Sequence, residues 1–262
     1  MPSWPNVSLM WYVFAGVPSK SRTHRFRPWL LPPGCTPVWP DPNLADPDEG
    51  LVAVGGDLSA ARLLSAYVQG IFPWYESDST ILWWCPEPRA ILRVEDLHLS
   101  RSLRRRLRKN DFSLRTDTSF EGVIDGCAER SEGTWITPDM RAAYMHLHEL
   151  GHAHSFEVWI DEELVGGLYG VQVGGLFAAE SMFHRVTDTS KIALAAAVSA
   201  LFDAGFQLFD VQFMTPHLAS LGASLLPRQE YLRAVSKLQG NEMPWQAVVS
   251  ALGERQPAFF GG

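Results

Sequence analysis

The rhythm of apolar positions changes along the chain, and each rhythm predicts an element. Residues 60–69 (AARLLSAYVQ) repeat at helical spacing between Ser59, which can cap the first turn, and Gly70, which can end the helix. Phe120, Val123, Ile124 and Cys127 make one helical stripe behind a capping box of Thr118 and Glu121. Thr137 and Pro138 open a further helix that Gly151 should end. Strand patterns follow at 155–160 (SFEVWI), at 164–173 (LVGGLYGVQV) after a DEE turn, and at 176–183 (LFAAESMF) after a GG turn. Residues 190–204 are apolar almost all round, as in a helix pressed onto a sheet, and 207–213 (QLFDVQF) read as another strand.

These rhythms divide the chain. Residues 1–36 carry no sustained period and read as an extension, part of it unordered. Residues 37–86 are rich in Pro, Gly and Trp and form a small domain, and 87–262, with longer helices between strands, form a second. With 262 residues and 46% hydrophobic content the chain can build a substantial core. The apolar run at 9–17 is about half the ~20 residues of a membrane span, and with no Lys or Arg before it, it is a poor signal peptide. Three widely spaced cysteines without a CxxC pair argue against a disulfide framework and fit a reducing cytoplasm.

A net charge of −7 excludes a protein that coats nucleic acid with its whole surface, but a local basic strip stands out. Six cations fall within residues 101–109. On a helix Arg101, Arg104, Arg105 and Arg108 share one face, with Lys109 beside them and Leu99, Leu103 and Leu107 opposite. Their mutual repulsion is costly unless an anion binds, which favours nucleic-acid phosphates over a merely solvated face. Trp74, Trp83, Trp84 and Trp135 sit in loops or at segment ends, where an indole can stack on a base or pack between domains.

Asp210 and Gln212, two apart on a strand, should share one face while Phe209, Val211 and Phe213 take the other. Glu180 lies on a second apolar strand. Polar groups there are expensive to bury without partners, so three of them on two strands favour a polar site. The string HELGH, residues 148–152, matches a zinc-peptidase motif, but Gly151 should break the helix between its histidines and His154 falls in the next strand, so no metal is assigned. Phosphate loops, a dinucleotide fingerprint, a GxSxG elbow and an acetyl-CoA loop are all missing, so no cofactor is expected.

Taken in order, GLVAVGGDLSAARLLSAYVQGIFPWY, ILWWCPEPRAIL, GTWIT, AHSFEVW, LVGGLYGV, ESMF, SK and DVQ with HLASLGA closely resemble the bacterial leucyl/phenylalanyl-tRNA-protein transferases, from about Trp39 to about Leu232. The resemblance implies an α+β fold: a small N-terminal domain and a GCN5-related N-acetyltransferase-like domain whose mixed sheet is flanked by helices. It implies transfer of Leu or Phe, less readily Met, from aminoacyl-tRNA to proteins with N-terminal Arg or Lys, by a cytoplasmic monomer without a membrane partner, creating a degradation signal. By the same resemblance Gln212 hydrogen-bonds the attacking amine, and Asp210 orients Gln212 and supports proton removal. Glu180 contacts a basic substrate group, and Trp74 and Trp135 frame the terminal adenosine. Phe177, Met182, Leu194 and Phe209 line the side-chain pocket, and the Arg101 helix meets the acceptor stem.

Cys85, Glu87, Ala179 and His184 depart from the residues common in that family, and Ala197 stands where a bulkier apolar residue is frequent, which bears on side-chain preference. Two other readings are a CoA-dependent N-acetyltransferase, which should carry a pyrophosphate loop, and a non-catalytic RNA-binding module, which leaves Asp210, Gln212 and Glu180 unexplained.

Overall fold

The computed structural model describes residues 27–76, 79–109, 111–129 and 133–255, so the apolar run at 9–17 and most of the 1–36 extension lie outside the described residues. A small sheet is built from β1 (Trp29–Leu31), β2 (Leu51–Gly55), β3 (Phe72–Pro73) and β4 (Leu82–Trp84) in the order β1-β2-β4-β3. Helix α1 (Ala60–Tyr67) lies between β2 and β3 in the chain. The segment read as an extension thus contributes an edge strand, paired in parallel with β2.

The large sheet holds β5 (Arg89–Leu92), β6 (Ser113–Thr116), β7 (Ala153–Ile160), β8 (Glu163–Val173), β9 (Leu176–His184), β10 (Leu208–Gln212) and β11 (Ser224–Leu226), in the order β11-β5-β10-β9-β8-β7-β6. Only β9 and β10 pair in parallel, because the long helix α5 (Thr189–Asp203) carries the chain across the sheet between them. The sheet is therefore mixed and has helices on both faces.

On one face, α3 (Phe120–Ala128) and α4 (Pro138–Glu149) share a core with α1 and the small sheet, joining Val123, Tyr144 and Tyr169 to Tyr67 and Trp83. On the other, α5 packs with α2 (Arg101–Leu107) and α8 (Trp245–Arg255) over Phe156, Phe177 and Phe209. Helix α6 (Pro216–Ser220) follows β10, and α7 (Arg228–Leu238) covers Ile91, Leu176 and Leu208 at one end of the sheet. Alanine fills much of α5, a strong helix former whose small side chain lets the backbone lie close to the strands.

Some local expectations change. Thr137 caps α4 by accepting the Met140 N–H, and Gly151 adopts φ +76° beyond the last turn. The Thr118–Glu121 capping box does not form. Fully buried Glu157 collects the Thr118 and Ser119 N–H groups at 2.9 and 2.7 Å and the Thr118 hydroxyl, while Glu121 pairs with Arg141. A buried carboxylate needs those donors more than an exposed helix end does. Ser59 starts α1 without capping it, because its hydroxyl donates to Asp57 instead. Trp83 lies inside β4 rather than in a loop or at a segment end, whereas Trp84 is the last residue of that strand; the Trp83 indole is buried and donates to the Gly55 carbonyl, and that of Trp84 donates to the Trp74 carbonyl.

Candidate active site at a split in the sheet

The parallel ladder between β9 and β10 has three residue pairs and ends at Asp210 opposite Ala178. Past that point two irregularities redirect the side chains. One lies in the β8–β9 pairing, between Tyr169 and Gly170, where Glu180 has no partner in the register. The other lies between Asp210 and Gln212, and Gln212 has φ +62°, a left-handed conformation that few residues other than glycine adopt. Across this gap the Gln212 side-chain amide donates to Glu180 Oε1 at 2.7 Å, so a side-chain bond stands where the backbone ladder has stopped.

Strict alternation along β10 therefore fails at its end. Phe209 and Val211 face the α5 core as expected, but Phe213 turns to the opposite side and meets Phe72 and Trp74 at 5.5 and 5.8 Å. Asp210 and Gln212 still join one network, through the Gln212 N–H, which donates to Asp210 Oδ1 at 2.8 Å.

Asp210 is fully buried and held by four donors. Arg89 Nε and the Gln212 N–H reach Oδ1, while Arg89 Nη2 and the Tyr231 hydroxyl reach Oδ2, at 2.6–2.8 Å. All four of the carboxylate's acceptor positions are thereby used. Arg89 also donates to the Gly70 carbonyl at 3.0 Å, and its guanidinium lies between the Phe72 and Tyr231 rings. Burial alone would lower the Arg89 pKa; the Asp210 charge beside it outweighs that and raises it. Gly70 is needed twice, for its φ of +71° and because a Cβ there would lie 2.7 Å from the Tyr231 ring.

Glu180 is 2% exposed, and burial pushes its carboxyl up to about 7, against the hydrogen bonds from Tyr67 and Tyr144, which lower it. The Tyr67 hydroxyl lies 2.7 Å from Oε1, that of Tyr144 lies 3.1 Å from Oε2, and the two hydroxyls are 2.7 Å apart. Three oxygen–oxygen contacts need three protons and two phenols supply two. A proton on Glu180 completes the set, which makes this cluster responsive to pH near neutrality.

The other expected site residues divide between the two faces. Phe177, Leu194 and Phe209 are buried and Met182 half-buried in the core beneath α5, with Phe177 and Phe209 5.6 Å apart; Ala197 lies in the same core. Trp74 and Trp135 are half-buried on the opposite side, and their loops adjoin where the Tyr75 and Thr137 hydroxyls are 3.4 Å apart. Arg101, Arg104, Arg105, Arg108 and Lys109 are exposed on and just beyond α2, and among the described residues none has an ion-pair partner; Arg106 pairs with Asp111. Leu103 and Leu107 dock that helix onto the α5 core.

Sequence reasoning missed Arg89, Tyr67, Tyr144 and Tyr231. Arg89 offered a signal, since it begins the otherwise apolar run RAIL and poses the burial problem that marked Asp210. The three tyrosines read as ordinary positions on helix faces, so nothing local marked them.

Residues 91–236 match the family model for leucyl/phenylalanyl-tRNA protein transferase, and 56–87 match the model for its N-terminal domain. The chain belongs to this family. It is 52% identical over 218 residues to the leucyl/phenylalanyl-tRNA–protein transferase of Methylococcus capsulatus, covering 82% of this chain and 92% of that one. The Yersinia enterocolitica and Shewanella baltica transferases are 51% and 49% identical, each covering 79% of this chain and 89% of the relative. Among solved structures, L-PGS from Bacillus licheniformis overlaps 69% of this chain and 58% of its own at 12% identity and TM-score 0.33. A GCN5-related N-acetyltransferase-like protein from Streptococcus suis overlaps 64% and 65% at 14% identity and TM-score 0.28. Membership of the leucyl/phenylalanyl-tRNA protein transferase family makes the protein an aminoacyltransferase, and the split between β9 and β10 is where its unexplained polar groups converge. Among the described residues no helix is long and apolar enough to cross a membrane.

Proposed function

We propose that the protein moves Leu or Phe, and less readily Met, from aminoacyl-tRNA to the α-amino group of proteins that begin with Arg or Lys, as a cytoplasmic monomer that marks them for degradation. The observation that carries this reading is the Gln212 amide anchored on Glu180 across the split. With Nε2 committed to Glu180, Gln212 Oε1 is the end that accepts an N–H from the attacking amine. Asp210, with its acceptor positions filled, acts as a positioning residue that holds the Gln212 backbone in its left-handed turn.

In this reading the aminoacyl ester lies in the split. Its side chain enters the α5 face among Phe177, Met182, Leu194 and Phe209, an apolar lining that rejects charged side chains by desolvation and that Met182 makes adaptable. Trp74 and Trp135 frame the terminal adenosine on the other face, and the cations from Arg101 to Lys109 take acceptor-stem phosphates. The incoming amine has a reference pKa of roughly 7.7–8.0, so most of it arrives as an ammonium, which an ionised Glu180 attracts and can deprotonate. The neutral amine then forms the C–N bond, the ester C–O bond breaks, and the second amine proton leaves with the ribose oxygen. An ester is already activated, so the step needs positioning rather than ATP, a metal or a covalent enzyme intermediate.

Transfer from leucyl-tRNA to an Arg-initiated peptide, read by mass spectrometry without ATP or CoA, tests the assignment. Folded protein that leaves the peptide unextended would overturn it, and acetylation of the same peptide by acetyl-CoA would favour the N-acetyltransferase reading.

A further inference from the structure

The HELGH string does not work as a motif, because α4 ends at Glu149 and leaves His152 off the helix. The fold brings His148 to a different set of partners. Asp117, in the turn between β6 and α3, and His154, at the start of β7, join it so that one ligand atom from each lies within 4.8 Å of the other two. We propose that Asp117, His148 and His154 form a transition-metal site of the zinc class that braces the end of α4 and the start of β7 against the β6–α3 turn.

The hydrogen bonds occupy His148 Nδ1 and both nitrogens of His154, so an ion would take His148 Nε2 and replace the proton between His154 and Asp117. His148 Nδ1 lies 2.8 Å from the Ala153 carbonyl and must donate to it, so its lone pair is on Nε2, the arrangement that fixes a metal-binding imidazole from behind. In His154, Nε2 lies 3.2 Å from the Gly151 carbonyl and Nδ1 2.6 Å from Asp117 Oδ2. A lone pair on Nδ1 would repel that carboxylate, so a cation belongs between the two, either a proton or a metal ion. Asp117 is held by the Ser155 N–H on Oδ1, in a left-handed backbone conformation with φ +57° that Asp tolerates better than most residues.

Both rings are clamped in plane. His148 stacks on Phe120 with centroids 4.2 Å apart, and His154 stacks on Trp245 at 3.6 Å, so one face of each ring is covered by an aromatic neighbour. Two imidazoles and a carboxylate suit Zn²⁺ with water in the fourth position; Ca²⁺ or Mg²⁺ would want an oxygen shell. Metal bonds of about 2.0–2.2 Å place neighbouring ligands roughly 3.3 Å apart, so the His154–Asp117 pair opens slightly on binding. The site braces the fold and takes no part in transfer: the hydrogen bonds of the three residues lead to backbone groups around β7 and not to Glu180, Asp210 or Gln212.

The test uses the full chain, free of any histidine tag and stripped with a chelator. One equivalent of Co²⁺ should give the visible absorption of a tetrahedral site, Zn²⁺ should displace it, and Zn²⁺ should raise Tm. His148→Gln and Asp117→Asn, the latter keeping a residue that tolerates the left-handed turn, should each weaken Zn²⁺ binding by at least about a hundredfold, since losing even an outer-shell partner of a metal ligand costs 10–100-fold. Transfer by the metal-free protein should be unchanged in both variants. No tetrahedral Co²⁺ spectrum in the wild type, or Zn²⁺ affinity equal in wild type and His148→Gln, would overturn the proposal and leave a proton as the cation between His154 and Asp117.

Discussion

Arg89 grips Asp210 through two parallel bonds, Nε to Oδ1 at 2.8 Å and Nη2 to Oδ2 at 2.6 Å, with both side chains almost wholly out of solvent. A buried pair of this kind contributes little stability compared with an apolar replacement, yet removing one partner strands the other charge. Its use here is geometric, because the same carboxylate holds the Gln212 N–H. Arg89→Met should therefore lose about 3–5 kcal/mol of unfolding free energy, read by urea denaturation. Asp210→Asn, if it folds, should slow single-turnover transfer about a hundredfold while aminoacyl-tRNA binding changes little. A near-wild-type rate would reduce Asp210 to a purely structural role.

Glu180 links stability to pH with a definite sign. Its folded pKa of about 7 lies above its ordinary value of 4.5. Between those values the folded protein keeps a proton that the unfolded chain has released, so stability falls as pH rises and levels off above about 7. The full difference is on the order of 3 kcal/mol. Glu180→Gln removes this dependence, so its stability relative to wild type should increase from pH 5 to pH 8, measured by paired thermal melts. A difference that stays flat with pH would show that Glu180 titrates normally.

The same group should shape catalysis. If ionised Glu180 draws in and deprotonates the acceptor amine, kcat/KM for an Arg-initiated peptide should rise through one ionisation near 7, and Glu180→Gln should abolish that step in the profile. Retention of the step in the variant would assign it to the peptide's own amine.

Replacing Arg101, Arg104, Arg105 and Arg108 together should weaken tRNA binding and leave the fold intact, since the helix docks through Leu103 and Leu107. With about four phosphate contacts, the wild-type slope of log affinity against log salt should contain a contribution near −3 that the quadruple variant lacks. An unchanged slope would place the tRNA elsewhere.

Met182 is the half-buried member of the apolar lining, so Met182→Ala should open the pocket with less damage than truncating fully buried Phe177. The ratio of kcat/KM values for leucyl- and phenylalanyl-tRNA should move by about tenfold toward Phe, because removing a few methylenes is worth 1–3 kcal/mol in such a site. An unchanged ratio would remove Met182 from the pocket.

The sequence by itself determined the elements whose pattern is local and repeated. The all-round apolar stretch became α5, Thr137 with Pro138 opened α4, and the three strand patterns separated by the DEE and GG turns became β7, β8 and β9. It also marked Asp210, Gln212 and Glu180, because a polar side chain on an apolar strand declares its own desolvation cost. Only the tertiary structure decided what answers that cost. Arg89 is 121 positions before Asp210, and Tyr67 is 113 before Glu180, separations that no spacing rule spans. The irregularities at Glu180 and Gln212 likewise depend on neighbouring strands, which is why alternation misplaced Phe213. The competition that undid the Thr118 cap was settled by Glu157, 39 residues away, and the same long-range assembly brought Asp117 to His148 and to His154, which lies outside the HELGH string. Local periodicity is set by helix and strand geometry, whereas the partner of a buried charge is set by which elements the core packs together.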